Sequence, residues 1–224
     1  MAGTRRKVEA EELIPAPKLL YIIDTKLNNL RDKALASFLY MSGCRISEIL
    51  GTTKTIKHYI KEKGKFILDL EGMRAFNPEE NTITKVKPLT KESIEIKPEI
   101  ALMLIHDVPC LKRREDIPKR YIPVYIPKVR AFFEIFMQYY KTLQPGQPLF
   151  SITRQRAWQI MKSKLGLFNH FFIHNRTTHL VVHDGFSDQD LKQYRGWSST
   201  LPATSYVHMR WQDLARKMGA NVKE

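Results

Sequence analysis

The sequence predicts a mainly helical fold with a small β-sheet between two helical parts. Apolar residues recur at helical spacing near both ends of the chain, and short β-like runs are confined to residues 52–126. No internal repeat or low-complexity segment interrupts this order. A chain of 224 residues with 43% hydrophobic and 27% charged residues suits one substantial domain of this kind.

The first helical part follows a polar, basic tail at residues 1–14. The apolar positions of the first predicted helix share one face: Leu19, Leu20, Ile23 and Leu27. Residues 31–41 form a second predicted helix, which the Ser42-Gly43 pair ends. Residues 46–50 begin a third helix, led by Arg45.

The predicted sheet is the least regular part of the chain. Residues 52–100 alternate Lys-rich polar stretches with β-like runs at 66–70 and 93–96. Residues 101–108 fit either a strand or a helix, because a short apolar run does not distinguish them. Residues 121–126 are predicted as an edge strand, since Pro123 has no N–H to donate.

The second helical part begins with a helix at residues 128–143. Its apolar stripe is interpreted as core: Val129, Phe132, Phe133, Phe136, Tyr140 and Leu143. After a loop at 144–148, Thr153 is the predicted N-cap of a helix that runs to residue 164. Residues 174–218 are predicted to form three or four short helices separated by glycine and proline.

Charge is the most informative bulk property. The chain has 37 Lys and Arg against 23 Asp and Glu, a net charge of +14. This excess favours a nucleic-acid partner, because each cation placed on a phosphate releases a counterion; general basicity is the alternative. No apolar run approaches the ~20 residues that cross a bilayer. Cys44 and Cys110 have no metal-type spacing, which favours a reducing, intracellular setting.

Four segments in a fixed order resemble the tyrosine recombinase (phage-type integrase) family. The segment SGCRISEIL resembles the family's first signature box and places Arg45 on an active-site arginine. The segment HFFIHNRTTHL resembles the second box, His-x-x-Arg followed by T-H-L, with His170 on the histidine. The segment LKQYRGW resembles a helix ending in L-G-W and places Trp197 on the tryptophan. Tyr206, in the segment YVH nine residues later, matches the nucleophile.

The β-hairpin lysine of the family is assigned to Lys112, because LKRR followed by RYIPV resembles the strand–turn–strand that carries it. The resemblance covers residues 17–210. The amino-acid sequence of 188–197 resembles archaeal or archaeal-virus integrases more than bacterial ones. The family's N-terminal DNA-clamping domain has no counterpart here, so we interpret the chain as a catalytic fragment or an unusually short protein.

The resemblance implies one catalytic domain at residues 15–210, mostly helical with a small antiparallel sheet. It also implies a C-terminal segment, 211–224, that is exchanged between protomers. Double-stranded DNA is the implied partner, bound by a homo-tetramer that is monomeric without it, in an intracellular, DNA-associated setting (the host cell for a viral protein). Phosphate contacts in this assembly are expected from Lys54, Lys57, Arg113 and Arg114.

The family chemistry assigns a role to each matched residue. Tyr206 attacks a DNA phosphodiester and forms a covalent 3′-phosphotyrosine. Arg45 holds the scissile phosphate, and Lys112 protonates the leaving 5′ oxygen. His170 assists proton transfer or holds the phosphate, and Trp197 donates its indole N–H to a phosphate oxygen or packs. No cofactor is expected, because the covalent bond conserves the energy and no ATP-binding G-x-x-x-x-G-K-[ST] loop is present.

Two positions depart from the family pattern, the second less seriously than the first. Ile173 stands where the second phosphate-holding arginine is expected, and Arg195 stands where a leucine is usual. Losing one such donor typically costs about a hundred- to a thousand-fold in rate. Three explanations stay open: an introduced inactivating substitution, a DNA-binding relative without catalysis, or replacement by Arg176, which shares a helix face with position 173.

Metal and RNA alternatives were weighed against this assignment. His179 and His183 have a metal-capable i, i+4 spacing, but no glutamate follows His179 in the H-E-x-x-H manner. Three carboxylates could form a magnesium site, as in a nuclease, but they fit a helix start and a solvated face better: Asp184, Asp188 and Asp190. No metal is therefore expected. An unrelated basic RNA-binding protein would require the ordered segments to be a coincidence.

Overall fold

The computed structural model describes residues 12–55, 59–62, 65–68, 83–111, 119–203 and 207, with backbone alone for 53–55, 59–62, 65–68 and 83–85. Several predicted features lie outside the described residues: most of the 1–14 tail, Lys57, Lys112, Arg113, Arg114, Tyr206 and the segment 211–224. Among the described residues, no helix is both long and apolar enough to cross a membrane.

Three helices open the described part: α1 (Ala16–Lys26), α2 (Leu30–Ser42) and α3 (Ile46–Leu50). The Asn29 side chain caps α2 by accepting a hydrogen bond from the Arg31 N–H, at 2.9 Å. Gly43 ends α2 with a left-handed φ of 60°, as the Ser42-Gly43 pair predicted. Nine consecutive residues, 34–42, are buried, so α2 is a central helix enclosed on all sides rather than an amphipathic surface helix.

Three small antiparallel sheets follow. Strand β1 (Thr52–Thr55) pairs with β4 (Ile83–Val86), and β2 (Tyr59–Glu62) pairs with β3 (Lys65–Leu68). The third sheet has the order β5 (Ile94–Lys97), β6 (Leu102–Pro109), β7 (Lys119–Tyr125). The undecided run 101–108 is thus a strand, because both neighbours supply partners for its backbone.

Strand β7 lies at an edge of the third sheet, which confirms the position predicted for Pro123. Its side chains alternate between the two faces, with every second one buried. This alternation turns Ile122 and Val124 into the core. It also turns the Arg120 side chain inward, where a charged group needs partners.

Four helices complete the described part: α4 (Arg130–Tyr140), α5 (Arg154–Ile160), α6 (Asn169–His183) and α7 (Asp188–Arg195). Thr153 caps α5 as predicted, and a π-helical turn, Met161–Leu165, extends that helix. Helix α6 begins at residue 169, five residues before the start of the predicted helical region at 174, and runs unbroken to 183. Glycines separate the helices where predicted: Gly185 follows α6 and Gly196 caps α7.

The core forms where α4 and α6 pack on α2. Aromatic rings join α2 to α4: Phe38 lies 5.1 Å from Phe136, and Tyr40 lies 4.4 Å from Phe132. The predicted α4 stripe is core in this sense, although Phe133 and Tyr140 are only half-buried at its margin. The α2–α3 turn, β7 and α7 meet at one side of this core.

Candidate active site

Arg45 lies in the turn between α2 and α3, and Glu48 fixes its position. The Arg45 backbone N–H donates to Glu48 Oε2 at 2.8 Å, and its Nη1 donates to Glu48 Oε1 at 2.7 Å. Because Glu48 is the third residue of α3, the same carboxylate caps the helix and orients the arginine. The local sequence R-I-S-E therefore produces a buried guanidinium in a defined direction.

Arg120 joins the sheet to this pair. Its Nη2 donates to Glu48 Oε2 at 3.1 Å, and its Nε donates to the Tyr194 carbonyl at 3.1 Å. Its Nη1 donates to the Pro109 carbonyl at 3.3 Å. All three nitrogens of this guanidinium are thus occupied. Burial opposes its charge, yet Glu48 raises the pKa of Arg120 above the ordinary arginine value.

Arg195, the last residue of α7, is the third buried arginine and is only 1% exposed. Its Nη1 donates to the carbonyl oxygen of Gly43, next to the Arg45 turn. Its Nε and Nη2 are buried and have no hydrogen-bond acceptor among the described residues. Burial lowers the pKa of Arg195 to about 10; Glu48 opposes that shift, and Arg45 and Arg120 add to it. The group therefore remains charged near neutral pH.

We call Arg45, Glu48, Arg120 and Arg195 the arginine cluster. Burial works to raise the pKa of Glu48, but Arg120, Arg45 and Arg195 together hold it below the usual glutamate value. One carboxylate faces three guanidinium groups, which leaves an excess of positive charge in a buried place. Each unpaired buried charge costs several kcal/mol. The arrangement therefore suits a bound anion that accepts several hydrogen bonds.

Arg176 lies beside the arginine cluster but has its own partners. Its Nη1 is 3.6 Å from Asp184 Oδ2, and its guanidinium lies 5.8 Å from the centre of the Tyr40 ring. Arg176 and Arg195 both approach Gly43: a Cβ built there would be 3.4 Å from Arg176 Cγ and 3.1 Å from Arg195 Nη1. This close approach explains why a glycine is needed at position 43.

Three further predicted site residues lie on α6 or shortly after α7. Ile173 is fully buried in the hydrophobic core and brings no charge. His170 is exposed in the first turn of α6, with its ring centre 6.1 Å from that of His174. Trp197 is buried beside the cluster, and its ring lies 6.0 Å from the guanidinium carbon of Arg195.

Of the predicted nucleophile segment, the structure describes Val207, which follows Tyr206 in sequence. Its N–H donates to the Ala203 carbonyl at 2.9 Å, and its side chain packs partly buried against the core. Lys54 lies on β1, where only the backbone is described. Among the described residues, no three His, Cys, Asp or Glu side chains lie together as metal ligands would.

The sequence did not indicate that three residues of the arginine cluster would be central to the site. Neither Glu48 nor Arg120 stands out in the sequence, because Glu48 fits as support for a helix start and Arg120 lies in the segment predicted as strand–turn–strand. Arg195 was treated as a small departure from a leucine position. The available signal was the pairing of two departures, an isoleucine where an arginine is usual and an arginine where a leucine is usual.

Comparison with solved structures gives the fold a family context. The chain matches a crystal structure of XerA recombinase with a TM-score of 0.51 and 12% identity, over 100% of this chain and 68% of that one. It matches the XerH site-specific recombinase bound to its palindromic difH substrate with a TM-score of 0.53 and 14% identity, over 95% and 52%. It matches the Tn1549 transposon integrase, in complex with circular intermediate DNA, with a TM-score of 0.51 and 15% identity, over 97% and 68%.

These matches show a tyrosine recombinase catalytic-domain fold, mainly helical with small antiparallel sheets. At such identities the likeness concerns the fold alone. The chain spans about half the length of the XerH chain and about two thirds of the other two. No protein-family model and no curated protein matches the sequence.

Proposed function

We propose that this chain is the catalytic domain of a site-specific DNA recombinase that breaks and rejoins DNA through a bond to Tyr206. One observation carries the proposal: the arginine cluster, an anion-ready group of buried guanidiniums, lies in a chain with the tyrosine recombinase fold. Arg45, which the first signature box singled out, is a member of that cluster.

The proposed reaction is a transesterification at phosphorus. The Tyr206 phenol gives up its proton, a transfer that His170 is assigned to assist, and its oxygen attacks the scissile phosphate. The 3′-phosphotyrosine bond forms as the bond from phosphorus to the 5′ oxygen breaks, and the 5′ oxygen leaves with a proton from Lys112. A 5′ hydroxyl then attacks the phosphotyrosine and restores the phosphodiester, releasing the phenol. The bond count is unchanged throughout, so neither ATP nor a metal is required.

Arg45 is assigned to the non-bridging oxygens of that phosphate, where negative charge accumulates in the transition state. Glu48 accepts a hydrogen bond from Arg45 and holds it in place, and Arg120 in turn donates to Glu48. Trp197, buried against Arg195, is assigned to pack this side of the site. His170 keeps its assignment to proton transfer or phosphate binding, which requires the exposed first turn of α6 to face the DNA.

DNA as partner is supported by charge and by one exposed surface. Helix α5 and its π-helical extension present exposed cations without a carboxylate between them: Arg154, Arg156, Lys162 and Lys164. Amide and hydroxyl groups that can contact DNA, such as Gln159 and Ser163, are exposed on the same segment. Together with the net charge of +14, this surface supports backbone contacts to duplex DNA.

The assembly and setting are finer parts of the proposal. We assign a homo-tetramer on two DNA duplexes, with residues 211–224 exchanged between protomers. Lys54, Lys57, Arg113 and Arg114 are assigned to DNA phosphates. The amino-acid sequence of residues 188–197 supports an archaeal or archaeal-virus origin and an intracellular role in DNA integration.

The test is a covalent-adduct assay with fragmented DNA from the source organism, nicked at random so that cleavage is trapped. The wild-type chain is expected to form a DNA adduct that survives denaturation, and Tyr206→Phe to form none. Tyr21→Phe, which changes an exposed tyrosine on α1, is the matched control and keeps the adduct. No adduct from the wild-type chain would overturn the proposal.

A second candidate, a DNA-binding relative without catalysis, is favoured by the buried Ile173. In that case the wild-type chain shifts duplex DNA in a gel but forms no adduct. If Ile173→Arg then creates an adduct, the fold has kept its binding surface and lost one catalytic group.

A further inference from the structure

We propose that Arg195 supplies the second phosphate-holding guanidinium of this site, in the role that Ile173 cannot perform. The inference rests on the proposed recombinase function and names a further residue for the same chemistry. It differs from the replacement that the sequence suggested, which was Arg176.

The first argument is the hydrogen-bond inventory of each arginine. Arg195 has two nitrogens, Nε and Nη2, that are buried without an acceptor among the described residues. Arg45 has one such nitrogen, Nη2. Arg120 has none, since its three nitrogens all donate to protein oxygens. Arg176 also has one such nitrogen, Nε. Arg195 therefore has the most unused donors, and an anion between Arg45 and Arg195 would satisfy both residues.

The net charge of the arginine cluster also favours a bound anion. A guanidinium that is 1% exposed and faces two others is unfavourable unless a negative group neutralises it. Glu48 already bridges Arg45 and Arg120 with both of its oxygens. Three guanidiniums and one carboxylate leave two net positive charges. A phosphodiester beside Arg195 brings one negative charge, which offsets half of that excess.

Arg176 is the weaker candidate because its charge is already compensated. Asp184 lies 3.6 Å from its Nη1, and the Tyr40 ring covers its guanidinium. Moving Arg176 onto a phosphate would break its ion pair with Asp184, which would then keep only Lys128, at 3.4 Å. Arg195 can bind the phosphate without breaking an ion pair to a protein carboxylate.

Several contacts hold the Arg195 side chain in position before any phosphate binds. Arg195 ends α7, whose carboxyl end favours a cation, and Gly196 caps the helix with a left-handed φ of 63°. One nitrogen is anchored on the Gly43 carbonyl, in the same turn that carries Arg45. The Trp197 ring lies 6.0 Å from the guanidinium carbon. The Arg195 side chain is thus already held in place, and binding a phosphate costs it little further conformational entropy.

The test measures the rate of Tyr206 adduct formation on trapped DNA for Arg195→Leu, Arg195→Lys, Arg176→Leu and Arg130→Leu. Arg130, exposed at the start of α4, is the matched control. Arg195→Leu is expected to slow adduct formation by about a hundred- to a thousand-fold, and Arg130→Leu to leave it unchanged. Arg195→Lys, which keeps a charge without the planar fork, should fall between them.

A charge-deleted substrate separates a phosphate contact from a structural role. Replacing the scissile phosphate with an uncharged methylphosphonate removes the charge that Arg195 is proposed to balance. On this DNA the Arg195→Leu chain should react within about threefold of the wild type, whereas a merely misfolded chain reacts poorly on both substrates.

Each outcome decides between the two claims. If the wild-type chain forms an adduct and Arg195→Leu reacts equally fast on ordinary DNA, this inference is overturned while the recombinase function stands. The same holds if Arg195→Leu is slow on both substrates, or if only Arg176→Leu is rescued by methylphosphonate. If the wild-type chain forms no adduct on either DNA, the proposed function itself fails.

Discussion

Glu48 Oε2 lies 3.1 Å from Arg120 Nη2, which joins α3 to a strand residue 72 positions later in the chain. The contact is buried and links the helical part of the molecule to the third sheet. It turns a local motif, an arginine followed three residues later by a glutamate, into a tertiary site. Four predictions follow from this arrangement and from the surface beside it.

Glu48→Gln should destabilise the fold strongly. The substitution removes the one carboxylate of the arginine cluster and leaves buried guanidiniums without a counter-charge, at a cost of about 3–5 kcal/mol. Denaturant unfolding measures the change. Glu95→Gln is the control, since Glu95 pairs with Lys97 at 3.1 Å and with His106 at 2.8 Å near the surface, where solvent screens the charges, and its loss should cost much less. Equal effects of the two substitutions would contradict the cluster's role.

Stability should fall in acid through Glu48. Its folded pKa lies below the ordinary value of 4.5, so the ionised form contributes stability above pH 4.5. That contribution is lost as the pH falls from 4.5 through the folded pKa. Unfolding free energies measured between pH 6 and pH 3 should therefore drop more steeply for the wild-type chain than for Glu48→Gln. Parallel curves would show that another carboxylate dominates.

Gly43→Ala should be worse than an alanine at another left-handed glycine. At position 43 the new Cβ meets a φ of 60° and also Arg195 Nη1 at 3.1 Å. Gly166 has a φ of 70° with no atom within 4 Å, so Gly166→Ala carries only the backbone cost of about 1–2 kcal/mol. We expect Gly43→Ala to lose more stability than Gly166→Ala and to slow adduct formation as well. Equal stability losses would contradict the close packing.

The exposed face of α5 should set the salt dependence of DNA binding. If Arg156 and Lys162 each contact a phosphate, each alanine substitution lowers the slope of log affinity against log salt by about 0.9. Fluorescence anisotropy with duplex DNA from 50 to 300 mM salt measures the slope. Lys26→Ala, an exposed cation at the end of α1, is the control and should leave it unchanged. An unchanged slope for Arg156→Ala would remove α5 from the interface.

The sequence was sufficient where the signal is local. Apolar spacing and caps located α2, α4 and α5, and the missing N–H of Pro123 placed β7 at an edge. The signature box also singled out Arg45, whose active-site role stays a prediction. These features depend on neighbouring residues, which a single sequence displays directly.

The sequence was insufficient where a feature depends on distant partners. Residues 101–108 fit two structures until strands on both sides supplied hydrogen bonds. The Arg195–Gly43 contact joins residues 152 positions apart, so nothing near Arg195 shows that it is buried. For the same reason the isoleucine at position 173 indicates only a lost charge in the sequence, although the fold brings the Arg195 guanidinium beside the turn that carries Arg45.

The most direct test of the central claim is to identify the residue that carries DNA. After trapping and nuclease digestion, trypsin should release the peptide of residues 196–210 with a nucleotide attached to Tyr206, detected by mass spectrometry. The account predicts that mass addition on Tyr206 in the wild-type chain and its absence in Tyr206→Phe. A nucleotide on any other residue, or a Tyr206→Phe chain that still forms the adduct, would contradict it.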